Sequence, residues 1–143
     1  MTTIAKLESA RRQLDTAIRL WFEEGDPVSI HTLACAAYEI IHVISKKRNR
    51  ARDLLFDSLI IKDEYRREAN AVLKKPANFF KHARNDADAS IEFHPTISEL
   101  FILFSILGLE LSGEQKTDAE RAFLFGSFFK SPSGSRRLGD SVS

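Results

Sequence analysis

Residues 27 to 45 read Pro-Val-Ser-Ile-His-Thr-Leu-Ala-Cys-Ala-Ala-Tyr-Glu-Ile-Ile-His-Val-Ile-Ser, and this stretch decides the fold. Ile30, Leu33, Ala34, Ala37, Ile40, Ile41 and Ile44 recur at the spacing of an α-helix, and apolar side chains cover it nearly all round. A helix of that kind needs neighbours on several sides, so it is predicted to be the centre of a helical bundle. Asp26 offers an N-cap oxygen and Pro27 a first-turn ring with φ already set, which defines where the helix starts.

Working outward, Ile4, Leu7, Arg11, Leu14, Ile18 and Trp21 mark one side of a first amphipathic helix, with Glu8, Arg12, Asp15 and Arg19 on the other. Gly25 is the expected left-handed residue that ends it. Only a tight turn then separates the two helices, which makes them antiparallel neighbours. Downstream of the polar stretch from Lys46 to Asp53, helical character is expected to resume at Leu54 to Ile61. It continues through Asp63 to Lys75, with Tyr65, Ala69 and Val72 on one side, until Pro76 ends it. Residues 76 to 95 are predicted to be an irregular loop, with an aromatic turn at Phe79 and Phe80 and an extended piece at Ile91 and Phe93.

Thr96 with Glu99, and Thr117 with Glu120, have the spacing of capping boxes. The first opens the apolar helix of Leu100 to Leu111, closed by Gly113; the second opens a last helix carrying Phe123, Leu124, Phe128 and Phe129. The expectation is an all-α antiparallel bundle of about five helices over residues 1–130, one domain, with a flexible serine- and glycine-rich tail over 131–143.

A chain of 143 residues, 43% hydrophobic and 29% charged, has the composition of a folded domain and not of a disordered one. Cys35 is its single cysteine, so no internal disulfide forms, and the alanines beside it favour a buried thiol. Charges at Lys6 and Glu8 stand where an export signal would have its apolar core. The run from Leu100 to Leu111 is too short to cross a bilayer, so a cytoplasmic setting without a membrane is expected.

The net charge of +1 hides an uneven distribution: residues 46 to 84 hold twelve of the 21 Lys and Arg but five of the 20 acids. Lys46, Lys47, Arg48, Arg50 and Arg52 are the densest cluster. They are either a polyanion-binding patch, since neutralised phosphates release counterions, or a solvated helix face.

On the central helix, His31, Cys35, Tyr38 and His42 fall on one stripe, a polar seam in the core or, with Glu39, the wall of a small pocket. Glu39 and His42 also form Glu-x-x-His, half of a di-iron bundle motif whose other half is absent, so neither a metal nor another cofactor is expected.

The sharper constellation runs from Asn78 through Phe79, Phe80, Lys81, His82, Arg84 and Asn85 to Asp86, with His94 beyond. Metal-free RNA cleavage needs a base for the 2′-hydroxyl proton, an acid for the leaving oxygen and a cation on the phosphorane. His82, His94 and Arg84 are of those types. The other reading is structural, with the phenylalanines anchoring the loop, His82 and Asn85 capping helix ends and the aspartates forming turns.

Arg84-Asn85 followed by His94, within an all-helical layout around a long apolar second helix, resembles the prokaryotic HEPN superfamily. Many members of that superfamily are metal-independent ribonucleases built as small, often dimeric bundles. The family pattern is Arg, a polar residue, then His after four to six residues; here nine residues separate Arg84 from His94. What the resemblance implies is a catalytic set of Arg84 and Asn85 with His82 or His94, RNA as substrate, and a homodimer with its site between subunits; the alternative is a non-enzymatic helical module that binds a partner chain or a small ligand through its apolar helices and Phe-rich last helix.

Overall fold

The computed structural model describes residues 1–48, 54–56 and 58–129. Among them are five α-helices and no strand: α1 (Lys6–Phe22), α2 (Pro27–Lys47), α3 (Arg66–Lys81), α4 (Thr96–Leu111) and α5 (Asp118–Phe129). A 3-10 turn, Asp63–Tyr65, leads into α3. The helical bundle expected from the sequence is therefore the architecture observed.

α2 starts as its sequence dictates. The Asp26 carboxylate accepts hydrogen bonds from the Ser29 backbone N–H at 2.8 Å and the Ser29 hydroxyl at 2.7 Å, and Pro27 occupies the first turn. These two bonds hold the Asp26 carboxyl below its usual value. By length and composition α2 could cross a membrane. Here it packs against α1 on one side and α4 on another, burying Ile30, Ala34, Ala37, Tyr38 and Ile41 among Leu14, Ile18, Phe101, Ile102 and Ile106. Each fully buried large apolar side chain contributes roughly 1.5–3 kcal/mol relative to leaving it in water, so these three helices hold most of the core.

α1 ends in a Schellman turn, but glycine is not its left-handed residue. Glu24 has φ of +55°, the Glu24 N–H donates to the Trp21 carbonyl, and the Gly25 N–H donates to the Leu20 carbonyl at 2.8 Å. Gly25 is needed instead for closeness, because a Cβ there would lie 3.2 Å from the Leu20 carbonyl oxygen. α4 closes the same way with Gly113 at φ +88°, as its sequence predicts.

Three expectations about the middle of the chain are corrected. Leu54 to Ile61 is not helical over its described residues: Leu54 and Phe56, two apart, both bury, while Leu59 and Ile60 face solvent. The Phe56 N–H donates to the Tyr38 hydroxyl at 2.9 Å, tying this segment to α2 instead of to a helix of its own.

Second, Pro76 lies inside α3, which runs on through Phe79 and Phe80 to Lys81. The packed face of α3 is Ala69, Leu73, Ala77 and Phe80, not Tyr65 and Val72, which are exposed. Burial of Ala77 and Phe80 outweighs the one backbone bond that proline cannot donate.

Third, the loop is accordingly shorter, from His82 to Pro95, and Ile91 and Phe93 pack inward without forming a strand. The tail expected over 131–143 lies outside the described residues.

The second capping box forms and the first does not. The Thr117 N–H donates to Glu120 Oε2 at 2.9 Å and the Glu120 N–H to Thr117 Oγ1 at 3.2 Å. Thr96 is already helical, while the Glu99 carboxylate accepts from the Trp21 indole N–H at 3.0 Å, joining α4 to α1.

Candidate nucleic-acid interface

Because α3 continues past Pro76, residues that the sequence separates into a helix and a loop share one exposed helix face. Arg67, Ala71, Lys74 and Asn78 fall at steps of four, three and four along it, with Asn70 and Lys75 beside them and His82 at its C-terminal end. Arg66, Arg67, Asn70, Ala71 and Lys74 line one shallow cleft. A second, of about 440 Å³, is lined by Ala71, Lys75, Asn78, Phe79, His82, Arg84 and Asp86. The two adjoin at Ala71 and make a trough along α3.

The trough carries more positive than negative charge. Arg67, Lys74, Lys75 and Arg84 line it, against the single carboxylate of Asp86. Lys74 is held in place, its Nζ 4.8 Å from the centroid of the Phe56 ring. Arg66 is committed to structure, since it pairs with Asp63 and its Nε donates to the Ser58 carbonyl at 3.2 Å. At the C-terminal end, His82 is the cap residue, its backbone N–H donating to the Asn78 carbonyl at 3.0 Å and its side chain exposed.

Of the four residues expected to form a catalytic set, His82 and Arg84 line the same cleft, whereas Asn85 and His94 do not. His94 stands at the start of α4, where its Nδ1 accepts from the Thr96 N–H at 3.2 Å. The turn expected at the aspartates is present, with the Ala89 N–H donating to the Asp86 carbonyl at 2.9 Å.

The basic cluster begins in the last turn of α2. Lys46 and Lys47 are exposed at the helix end, but Arg48 donates to the Ser112 carbonyl and lies 3.6 Å from Glu114, neutralising the C-terminal end of α4. Arg50 and Arg52 lie outside the described residues. Arg67, Lys74 and Lys75, which line the trough, have a helical spacing in the sequence. Ending the helix at Pro76 hides their continuity with Asn78 and His82.

The stripe of His31, Tyr38 and His42 runs into the core. His31 is fully buried, with Nδ1 2.9 Å from Ser98 Oγ and Nε2 3.2 Å from Cys35 Sγ. Phe80, Phe93 and Phe101 surround its ring, and burial pushes its pKa down to about 4. The same burial, with Glu39 nearby, pushes the Cys35 thiol up to about 12, so that thiol is inert. Tyr38 is fully buried against Phe56 and Phe101, and His42 stacks near both Tyr38 and Phe56. Glu39 points elsewhere, into a groove between α1 and α2. Comparison of the chain with protein-family models, curated proteins and solved structures returns no match.

Proposed function

We propose that this protein binds single-stranded RNA along the exposed face of α3. The observation that carries the reading is the trough itself, which four cations besides Arg66 line together with Asn70, Asn78 and Phe79. Cations that follow a phosphate backbone supply affinity, while an aromatic ring and amides suit unstacked bases, which a double helix does not offer. Binding that engages Arg67, Lys74, Lys75 and Arg84 releases about 0.7 counterion per phosphate on a single strand. The logarithm of affinity should then fall with the logarithm of salt at a slope of about −3. Fluorescence anisotropy with a labelled RNA oligomer reads this directly. Lys74→Glu with Lys75→Glu should weaken binding by roughly tenfold or more and flatten the slope to about −1.4. Absent binding, or affinity indifferent to salt and to the double substitution, overturns the proposal.

A second reading, metal-independent RNA cleavage of the kind the HEPN resemblance implies, is favoured by the meeting of His82, Arg84 and Asp86 in one cleft. In that reading the Asp86 carboxylate takes the 2′-hydroxyl proton. The 2′-oxygen attacks phosphorus, Arg84 neutralises the phosphorane, and protonated His82 gives its proton to the departing 5′-oxygen. RNA incubated with the protein in EDTA should be cut to 2′,3′-cyclic phosphate ends, and His82→Ala should abolish the cutting while leaving RNA binding within a few-fold. Intact RNA, or cutting that survives His82→Ala, removes cleavage and leaves binding standing.

A further inference from the structure

α2 is the central helix, yet the described residues leave one of its faces partly open. Val43 is 57% exposed and lies in a groove of about 670 Å³ walled by Ala36, Glu39, Ile40, Val43, Ile44 and Lys47 of α2. Lys6 and Gln13 of α1 complete the groove. The α2 positions form one continuous face, roughly 16 Å long at 1.5 Å per residue.

The pattern along this face is self-complementary. Glu39 lies four residues before Val43 and Lys47 four residues after it, so acid, apolar centre and base stand in line at successive turns. A twofold axis through Val43, perpendicular to the helix, lays a second copy antiparallel across the first. It brings Glu39 opposite Lys47 of the partner subunit and Lys47 opposite Glu39 of the partner subunit. Ile40, Val43 and Ile44 of both copies then meet between the two ion pairs. An isologous interface demands this reciprocity, and an apolar centre with a charged rim is the usual anatomy of one. Within the chain neither charge is already used: among the described residues, no ion pair engages Glu39 or Lys47.

We propose that this face of α2 is a homodimer interface, formed by antiparallel α2 helices crossing at Val43 and locked in register by two Glu39–Lys47 pairs. It shares no residue with the α3 trough, so it stands or falls independently of RNA binding.

Sedimentation velocity of the full chain, from low micromolar to hundreds of micromolar, should show a mass rising towards twice 16.2 kDa. Glu39→Lys and Lys47→Glu each set like charges against one another at both symmetric contacts. Each should weaken the dimer by roughly tenfold or more. The double variant, Glu39→Lys with Lys47→Glu, restores opposite charges and should recover the wild-type dissociation constant within a few-fold. Neither residue is buried, so far-UV circular dichroism should match wild type in all three variants, as should Tm at concentrations low enough for every chain to be monomeric. A wild-type chain that stays monomeric, a dimer indifferent to both single reversals, or a double variant no better than the singles each overturns the proposal. Stable monomers that bind a different protein or an apolar ligand here count among those overturning results.

Discussion

Gly108 of α4 lies where α2 comes too close for a side chain. A Cβ there would lie 2.6 Å from Ile41 Cγ2 and 3.2 Å from Leu54 Cδ1. The helices cannot simply part, because Ser45 is fixed on the other side of the contact, its hydroxyl donating to the Gly108 carbonyl at 3.3 Å and lying 3.1 Å from Ser112 Oγ. Alanine would gain about 1 kcal/mol of helix propensity at this position, but overpacking a tight core costs about 1–3 kcal/mol and the contact here is shorter than any real Cβ makes. Gly108→Ala should therefore lower stability, by up to about 2 kcal/mol net, read as a drop in denaturant midpoint at unchanged slope. A midpoint at or above wild type would show that the helices separate freely. Gly113 owes its identity to its positive φ, which its place at a helix end makes legible in the sequence. Gly108, mid-helix between apolar residues, gives no such sign, because what it avoids lies 67 residues away at Ile41 and 54 residues away at Leu54.

At the scale of the element, α3 is where local rule and tertiary packing part company. Proline inside a helix cannot donate to the carbonyl four residues back, here that of Val72, whose side chain is exposed and whose carbonyl can turn to water. What carries the helix across that gap is the burial of Ala77 and the ring contacts of Phe80 with His31 at 5.8 Å and Phe93 at 5.2 Å. If so, Pro76→Ala should lengthen the hydrogen-bonded helix and stabilise the protein by about 1–2 kcal/mol, a few degrees in Tm. RNA affinity should be unchanged, since the substitution moves no cation. Loss of stability would mean that Pro76 packs more than it strains.

The same element explains why the fold is more legible than the site. α1, α2, α4 and α5 carry periodic apolar patterns and caps that act within a few residues, and those survive folding largely as written. Glu99 shows the limit, drawn away from its own helix end by the indole of Trp21, 78 positions earlier. The candidate site is a surface, and its cations align only once α3 is known to run unbroken from Arg66 to Lys81.

At the scale of the whole molecule, His31 is the point where the layers meet. It belongs to α2, bonds to Ser98 of α4, and packs its ring against Phe80 of α3, Phe93 of the loop and Phe101 of α4. Burial depresses its pKa from 6.5 to about 4, so between those values the unfolded chain takes up a proton that the native chain refuses. Stability from this residue is thus complete above pH 6.5 and is lost as pH falls towards 4. Each tenfold change in proton affinity is worth about 1.36 kcal/mol, which makes the loss on the order of 3 kcal/mol. The exposed Asp26 carboxyl, also depressed, loses its contribution below its ordinary 3.8, where the histidine effect is already spent. Urea denaturation at about pH 7.5 and about pH 4.5 should show the native state weakened at the lower pH. His31→Gln should be less stable at the higher pH, where the aromatic cage is disturbed, yet nearly flat across the interval. Equal wild-type stabilities at the two pH values, or an undiminished fall in the glutamine variant, would place the titrating group elsewhere. Because α3 is anchored through Phe80 on this ring, the protection factors of its amides, taken relative to the slower intrinsic exchange in acid, should fall at the lower pH before those of α1 and α2, and protonation of the core would then loosen the helix that carries the cationic face.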